Sequence, residues 1–144
     1  MNRFFSRLRH ERQGSVAIEF ALIGPIFLTM FLGVLQIGIG MQNYNALRGV
    51  SADVARYAVV NYQTANRLTT SQLEDYTRSV ASSPPYGLTR SRLTASVSMA
   101  TTQRVEGATE YTVALNYSVP SVLGIMGMED IPLRYSRPIF VVGS

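Results

Sequence analysis

The stretch RQGSVAIEFALIGPIFLTMFLGVLQIGIGM, residues 12–41, decides the fold. From Phe20 to Leu47 no residue is charged, and a helix needs about 20 apolar residues to cross the hydrocarbon core of a bilayer. The run predicts a transmembrane segment over residues 17–41. A secretory signal peptide is the rival reading, but its apolar core is about 7–15 residues long and ends at a small-x-small cleavage site. Here the run is longer, and Tyr44-Asn45-Ala46 follows it. An acid, Glu19, stands just inside the run, where at mid-membrane it would cost about 2.5–3.5 kcal/mol and less near an end. The plain account is that Glu19 snorkels to the headgroups.

Working outward toward the N-terminus, Arg3, Arg7, Arg9 and Arg12 face only Glu11 within residues 1–14. The chain's formal charge of +4 is therefore concentrated in its first dozen residues. A basic cluster beside an apolar run is the orientation signal of the positive-inside rule and places the N-terminus in the cytoplasm. A nucleic-acid binder would carry its basic face on the folded part, so no nucleic-acid partner is expected.

Toward the C-terminus the helix continues past the membrane. Met41, Tyr44, Leu47, Val50 or Ser51, Val54 and Tyr57 recur at three- and four-residue steps, with Asn43, Asn45, Arg48, Asp53 and Arg56 between them, which is an amphipathic pattern. The whole helix is expected over 15–60, with a kink or loosening at Gly24-Pro25, where proline removes a backbone hydrogen bond. Residues 61–144 then form an extracytoplasmic head. Ser71 and Glu74 are read as a capping box for a short helix over 71–81, ended by Ser82-Ser83-Pro84-Pro85 and Gly87. Period-two alternation follows, predicting strands over 92–103, 109–119 and 131–142, the first two joined through Glu106-Gly107. Pro132 and Pro138 assign the third strand to an edge. The loop PSVLGIMGMED between the second and third strands is apolar enough to tuck against the sheet. The fold class is α+β: a long N-terminal helix, a short helix and a small antiparallel sheet.

Catalytic chemistry has little to work with. Cysteine is absent and the single histidine, His10, lies in the charged leader, which removes disulfides, thiol nucleophiles, the usual general base and the usual metal ligands. No phosphate-cradling glycine loop or metal-ligand spacing is present. The acid pairs Glu74-Asp75 and Glu129-Asp130 read as a solvated helix turn and loop, and Asn116-Tyr117-Ser118 matches a glycosylation sequon inside a strand. The eight tyrosines read as packing and assembly surface. Neither an enzyme, a cofactor nor a metal is expected.

The basic leader, Gly14, then Ser15-Val16-Ala17-Ile18-Glu19-Phe20 and an apolar helix resemble the processing site of type IV prepilins. The closer resemblance is to the TadE-like pseudopilins of the tight-adherence (Flp) pilus system. Those share an Arg-rich start, G-x-x-A-x-E-F-A, and a long helix running into N-A-x-x-x-x-A-x-x-x-A-R-x-A. This chain has Asn45-Ala46 and then Ala52, Ala55, Arg56 and Ala58. The resemblance implies cleavage of the 1–14 leader by a prepilin peptidase, with Gly14 and Ser15 as the processing site. Glu19, fifth in the mature chain, and Phe20 then act in assembly and register, Glu19 pairing with the new ammonium of Ser15 in its own or a neighbouring subunit. Ala17, Ala21, Gly24 and Pro25 form a small-residue stripe permitting close helix packing. Implied partners are the peptidase, other pilins and pseudopilins, and the inner-membrane assembly platform. The head, absent from the short major Flp pilins, marks a minor or accessory pilin with an initiating, priming or adaptor role. The rival reading is an unprocessed single-span membrane protein with an extracytoplasmic binding or scaffolding head.

Overall fold

The computed structural model describes residues 12–64, 66–124 and 127–142. The basic leader up to Glu11 lies outside the described residues. Helix α1 (Arg12–Gln63, 52 residues) is followed by α2 (Thr70–Ser82), a 3-10 turn (Arg90–Arg92), and strands β1 (Leu93–Met99), β2 (Ala108–Val119) and β3 (Ile131–Val142). The architecture is thus the expected α+β arrangement. The chain divides into two compact units, Met1–Ile37 and Gly38–Ser144. In the first, α1 is apolar on every side. In the second, α1 contributes a single buried stripe.

That stripe is Leu47, Val50, Ser51, Val54 and Ala58, spaced so that each lies over the next on one helical face. Burying each valine or leucine contributes about 1.5–3 kcal/mol. Met41, expected to begin the stripe, is exposed. Tyr44, also outside the core, meets Tyr135 edge-on at 5.8 Å between ring centroids. Buried hydroxyls are satisfied within their own helices, Ser51 Oγ donating to the Arg48 carbonyl at 2.8 Å and Thr77 Oγ1 to that of Leu73 at 2.6 Å. Among the described residues no buried side-chain nitrogen or oxygen lacks a partner, so none pays the desolvation cost unpaired.

The sheet has the order β1-β2-β3 and is antiparallel throughout, with Leu93 opposite Tyr117 and Val119 opposite Ile131. Odd-numbered strand residues, among them Ala95, Val97, Val113, Leu115, Ile139 and Val141, join the helical stripe and Leu73 of α2 in one core. Even-numbered residues face the other way, as the period-two pattern requires. In the register, Pro138 lies opposite Thr112 and Pro132 opposite Ser118 on the terminal strand β3, so their missing N–H groups take nothing from a central strand. The first strand is shorter than expected, ending at Met99. Ala100 N–H still donates to the Glu110 carbonyl at 2.9 Å, but beyond it Gln103 and Arg104 turn back onto the Glu110 backbone and side chain, which withdraws residues 101–107 from the ladder.

Helix α2 opens one residue earlier than read from the sequence, with its N-cap at Thr69 in place of Ser71. Its capping box is Thr69 with Gln72: Gln72 N–H donates to Thr69 Oγ1 at 3.2 Å and Thr69 N–H to Gln72 Oε1 at 2.9 Å. Glu74 is unavailable to cap because its Oε1 accepts the backbone N–H of Val97 at 2.9 Å. One turn on, Arg78 Nη2 donates to the Ala95 carbonyl at 3.2 Å and pairs with Glu74 at 3.4 Å. The outer edge of β1 is therefore closed by two side chains of α2. In the loop before β3, Leu123 is buried as expected while Met128 is exposed. Val122 is half-buried, and Ile125 and Met126 lie outside the described residues.

Two contacts in this unit give measurable consequences. The ring of Tyr86 covers Gly49 so closely that a Cβ there would sit 2.4 Å from Tyr86 Cε1, and the Tyr86 hydroxyl donates to Asp53 at 2.7 Å. Gly49→Ala must displace that ring and its hydrogen bond, costing about 1–3 kcal/mol in chemical denaturation. In the Tyr86→Ala background the same change should cost much less. Glu110, 4 % exposed, accepts hydrogen bonds from the mostly exposed Arg104 (2.9 Å from Nε to Oε1). The hydrogen bonds from Arg104 hold the Glu110 carboxyl below its ordinary range, overriding the opposing effect of burial. A depressed folded-state pKa means that the unfolded chain takes up its proton first as pH falls. The stabilisation is present above about pH 4 and lost below it, so Glu110→Gln should flatten the acid limb of the stability profile from pH 5 downward.

Candidate functional site

The candidate residues lie on the apolar portion of α1. Gly14 and Ser15 belong to its first turn and Glu19 follows one turn after Ser15; positions four apart share a helical face. Glu19 is exposed, as are Val16, Ile18, Phe20, Leu22, Ile23, Ile26 and Phe27. A helix with apolar side chains all round has no water-facing side to offer. None of its most apolar window is buried, and it is the helix among the described residues that is long and apolar enough to cross a membrane.

Phe20, Ala21, Gly24 and Pro25 come together. With Ile23, Phe27 and Leu28 they line a shallow groove of about 650 Å³ with almost no polar surface. Gly24 gives it depth: a Cβ there would reach the Phe20 ring at 3.8 Å, an ordinary contact, so nothing within this chain forbids a larger residue. Pro25 cannot donate to the Ala21 carbonyl, yet the helix is assigned without a break through it. Thr29 Oγ1 donates to the Pro25 carbonyl at 2.8 Å, a bond of the type that bends helices. Ala17 is exposed one turn before Ala21 and is not part of the groove lining. At about 100° per residue, Glu19 lies roughly 200° from both Ala17 and Ala21, so the carboxylate and the small-residue stripe occupy opposite sides.

The head supplies no comparable reactive constellation. Among the described residues no group of three or more His, Cys, Asp or Glu side chains is placed to hold a metal ion. Both acid pairs act structurally: Asp75 pairs with Arg78 at 3.3 Å, and Asp130 pairs with Arg92 while accepting the Ser121 N–H at 3.1 Å. The tyrosines are packing residues. Tyr111 and Tyr117 are in the core, Tyr57 stacks on Tyr76 with centroids 3.7 Å apart, and the Arg67 guanidinium lies 5.3 Å from the Tyr62 ring centroid. The bonds of Glu74 to Val97, Arg78 to Ala95 and Arg104 to Glu110 escaped the sequence reading because each joins residues at least six apart along the chain.

A single apolar helix of spanning length ahead of a small α+β unit fits a single-pass membrane protein. Residues 14–56 match the family described as TadE-like protein, a family of the tight-adherence pilus system. The match begins at Gly14, includes Ser15, Glu19, Phe20 and the groove, and ends at Arg56. Neither a curated protein nor a solved structure matches the chain.

The exposed apolar surface has a direct consequence for partitioning. Phe27→Asp places a charge near the middle of the run, at a cost of about 2.5–3.5 kcal/mol for insertion. The variant should be released from membranes by alkaline carbonate, while the wild-type chain and an Ala52→Asp control remain in the pellet.

Proposed function

We propose that the chain is a minor pseudopilin of a tight-adherence type IV pilus, cut by a prepilin peptidase between Gly14 and Ser15 and acting as an initiating, priming or adaptor subunit. It is inserted in the inner membrane with its N-terminus cytoplasmic and its head outside. Its partners are the peptidase, other pilins and the assembly platform. The observation that carries this reading is the coincidence of the TadE-like match, which starts at Gly14, with an apolar helix that has Glu19 one turn beyond Ser15.

The chemistry follows from the helix. A peptidase binds extended backbone, so the helical Gly14-Ser15 stretch must unwind to be cut. Glycine there lowers the cost of unwinding by about 1 kcal/mol relative to alanine. After cleavage the Ser15 ammonium faces Glu19 at a spacing of four. A carboxylate in hydrocarbon is costly without a partner, so Glu19 pairs with its own amine or with that of an adjacent subunit, and pairing between chains fixes their axial register. The groove on the opposite side of the helix gives a second helix room to approach closely.

A second reading, an unprocessed single-span protein with a binding head, draws on the independent core of Gly38–Ser144, most of which lies beyond the family match. Intact mass of the chain from cells carrying the matching peptidase separates the two. A mature chain starting at Ser15 supports processing, and a persistent full-length chain in piliated cells defeats it. Gly14→Phe should block cleavage, whereas Glu19→Ala should leave cleavage near wild-type and reduce pilus number at least tenfold. Normal piliation by Glu19→Ala would return the residue to simple snorkelling.

A further inference from the structure

The outward face of the sheet carries a cleft that the assembly role does not use. It has a volume of about 410 Å³ and is lined chiefly by Arg92, Thr94, Asn116, Ser118, Pro132 and Arg134. The register aligns Thr94, Asn116 and Arg134 in one row across all three strands and sets Ser118 beside Pro132 in the next, where neighbouring side chains stand about 5 Å apart. A hydroxyl, a carboxamide and a guanidinium thus form a continuous line of hydrogen-bonding groups. Arg92 is held at one end by Asp130, which itself accepts bonds from the Ser121 N–H at 3.1 Å and Ser118 Oγ at 3.3 Å. The hydrogen bond from Arg92, helped by those from Ser121 and Ser118, holds the Asp130 carboxyl below its ordinary range, so the clamp is charged at neutral pH. Arg134 has no ion-pair partner among the described residues.

We infer that this cleft binds an acidic saccharide, with the Arg134 guanidinium taking a sugar carboxylate and Thr94, Asn116 and Ser118 taking ring hydroxyls. The charges of Arg92 and Asp130 cancel, which leaves one net positive charge at Arg134. A planar guanidinium fork matches a carboxylate in two parallel hydrogen bonds. Hydroxyl and amide groups both donate and accept, as sugar hydroxyls do. An extended peptide is disfavoured at the same place. Strand addition needs donors on the free edge, and the β3 edge bordering the cleft has Pro132 there and Pro138 further along.

The test titrates full-length protein, held soluble in non-ionic amphipol free of detergent, with hexagalacturonate, its methyl ester, and phosphatidylglycerol vesicles in separate arms. Hexagalacturonate should bind with an affinity that falls as salt is raised, and its methyl ester should bind at least tenfold more weakly. Arg134→Gln should weaken hexagalacturonate binding about tenfold or more, the effect of losing one charged hydrogen-bond donor, with no change in melting temperature because Arg134 is exposed and unpaired. Thr94→Val should weaken binding less while leaving its salt dependence intact. Equal binding of acid and ester, unchanged binding by Arg134→Gln, or binding to the vesicles alone would overturn the assignment.

Discussion

The head depends on one constraint: the second half of α1 must bury the stripe Leu47-Val50-Val54-Ala58 against something. Helix α2 alone offers too little surface, with Leu73, Thr77 and Ala81 as its buried residues. The inner face of a three-stranded sheet supplies the rest, through Val97, Val113, Leu115, Ile139 and Val141. Each component is unstable by itself, since a small sheet needs a packed face and a short helix is marginal in water. With no cysteine available, packing and hydrogen bonding carry the whole load. Close fits such as Tyr86 over Gly49 and Tyr57 on Tyr76 follow from that requirement.

A three-stranded sheet also has two edges, each a template for unwanted pairing, and they are managed by different means. At β1, Glu74 and Arg78 from α2 occupy an N–H and a carbonyl of the outer edge. At β3, prolines 132 and 138 withhold donors, while Arg134 and Arg137 add charge to the same strand. The outward face stays polar through Thr94, Ser96, Ser98, Asn116 and Ser136, all exposed. A face so wetted contributes little to folding, which leaves its side chains free to meet a ligand.

How much of this was legible in the sequence depends on the range of the interaction involved. The apolar run, the amphipathic continuation and the alternation of Tyr111, Val113, Leu115, Tyr117 and Val119 are local periodicities, and each produced the element it implied. Two prolines sufficed to assign β3 to an edge. The start of α2 was misread because Thr69-x-x-Gln72 and Ser71-x-x-Glu74 are overlapping capping signals, and only the distant N–H of Val97 decides which acceptor is free. The end of β1 depends likewise on Arg104 reaching Glu110. The cleft was invisible for the same reason: Arg92, Asn116 and Arg134 are far apart in the chain and meet only through the sheet register. In the helical segment Gly14, Ser15 and Glu19 lie within six residues of one another, and the resemblance to TadE-like pseudopilins nominated them, whereas the small-residue stripe was read from helical spacing.

On the proposed reading, Glu19 links processing to assembly through electrostatics. Its carboxylate is placed in an apolar segment, where a charge is costly. On the proposed processing the same residue becomes fifth from a new terminus, within reach of the positive end of the helix and of an ammonium one turn away. On that reading cleavage adds an ammonium one turn from the carboxylate, at a position that shares its helical face. The pairing remains open to exchange: a neighbouring subunit's amine offers the same charge at the same depth, so an intramolecular pair can be traded for an intermolecular one at little electrostatic cost. Such an exchange suits a subunit that must be stored in a membrane and later withdrawn into an assembly.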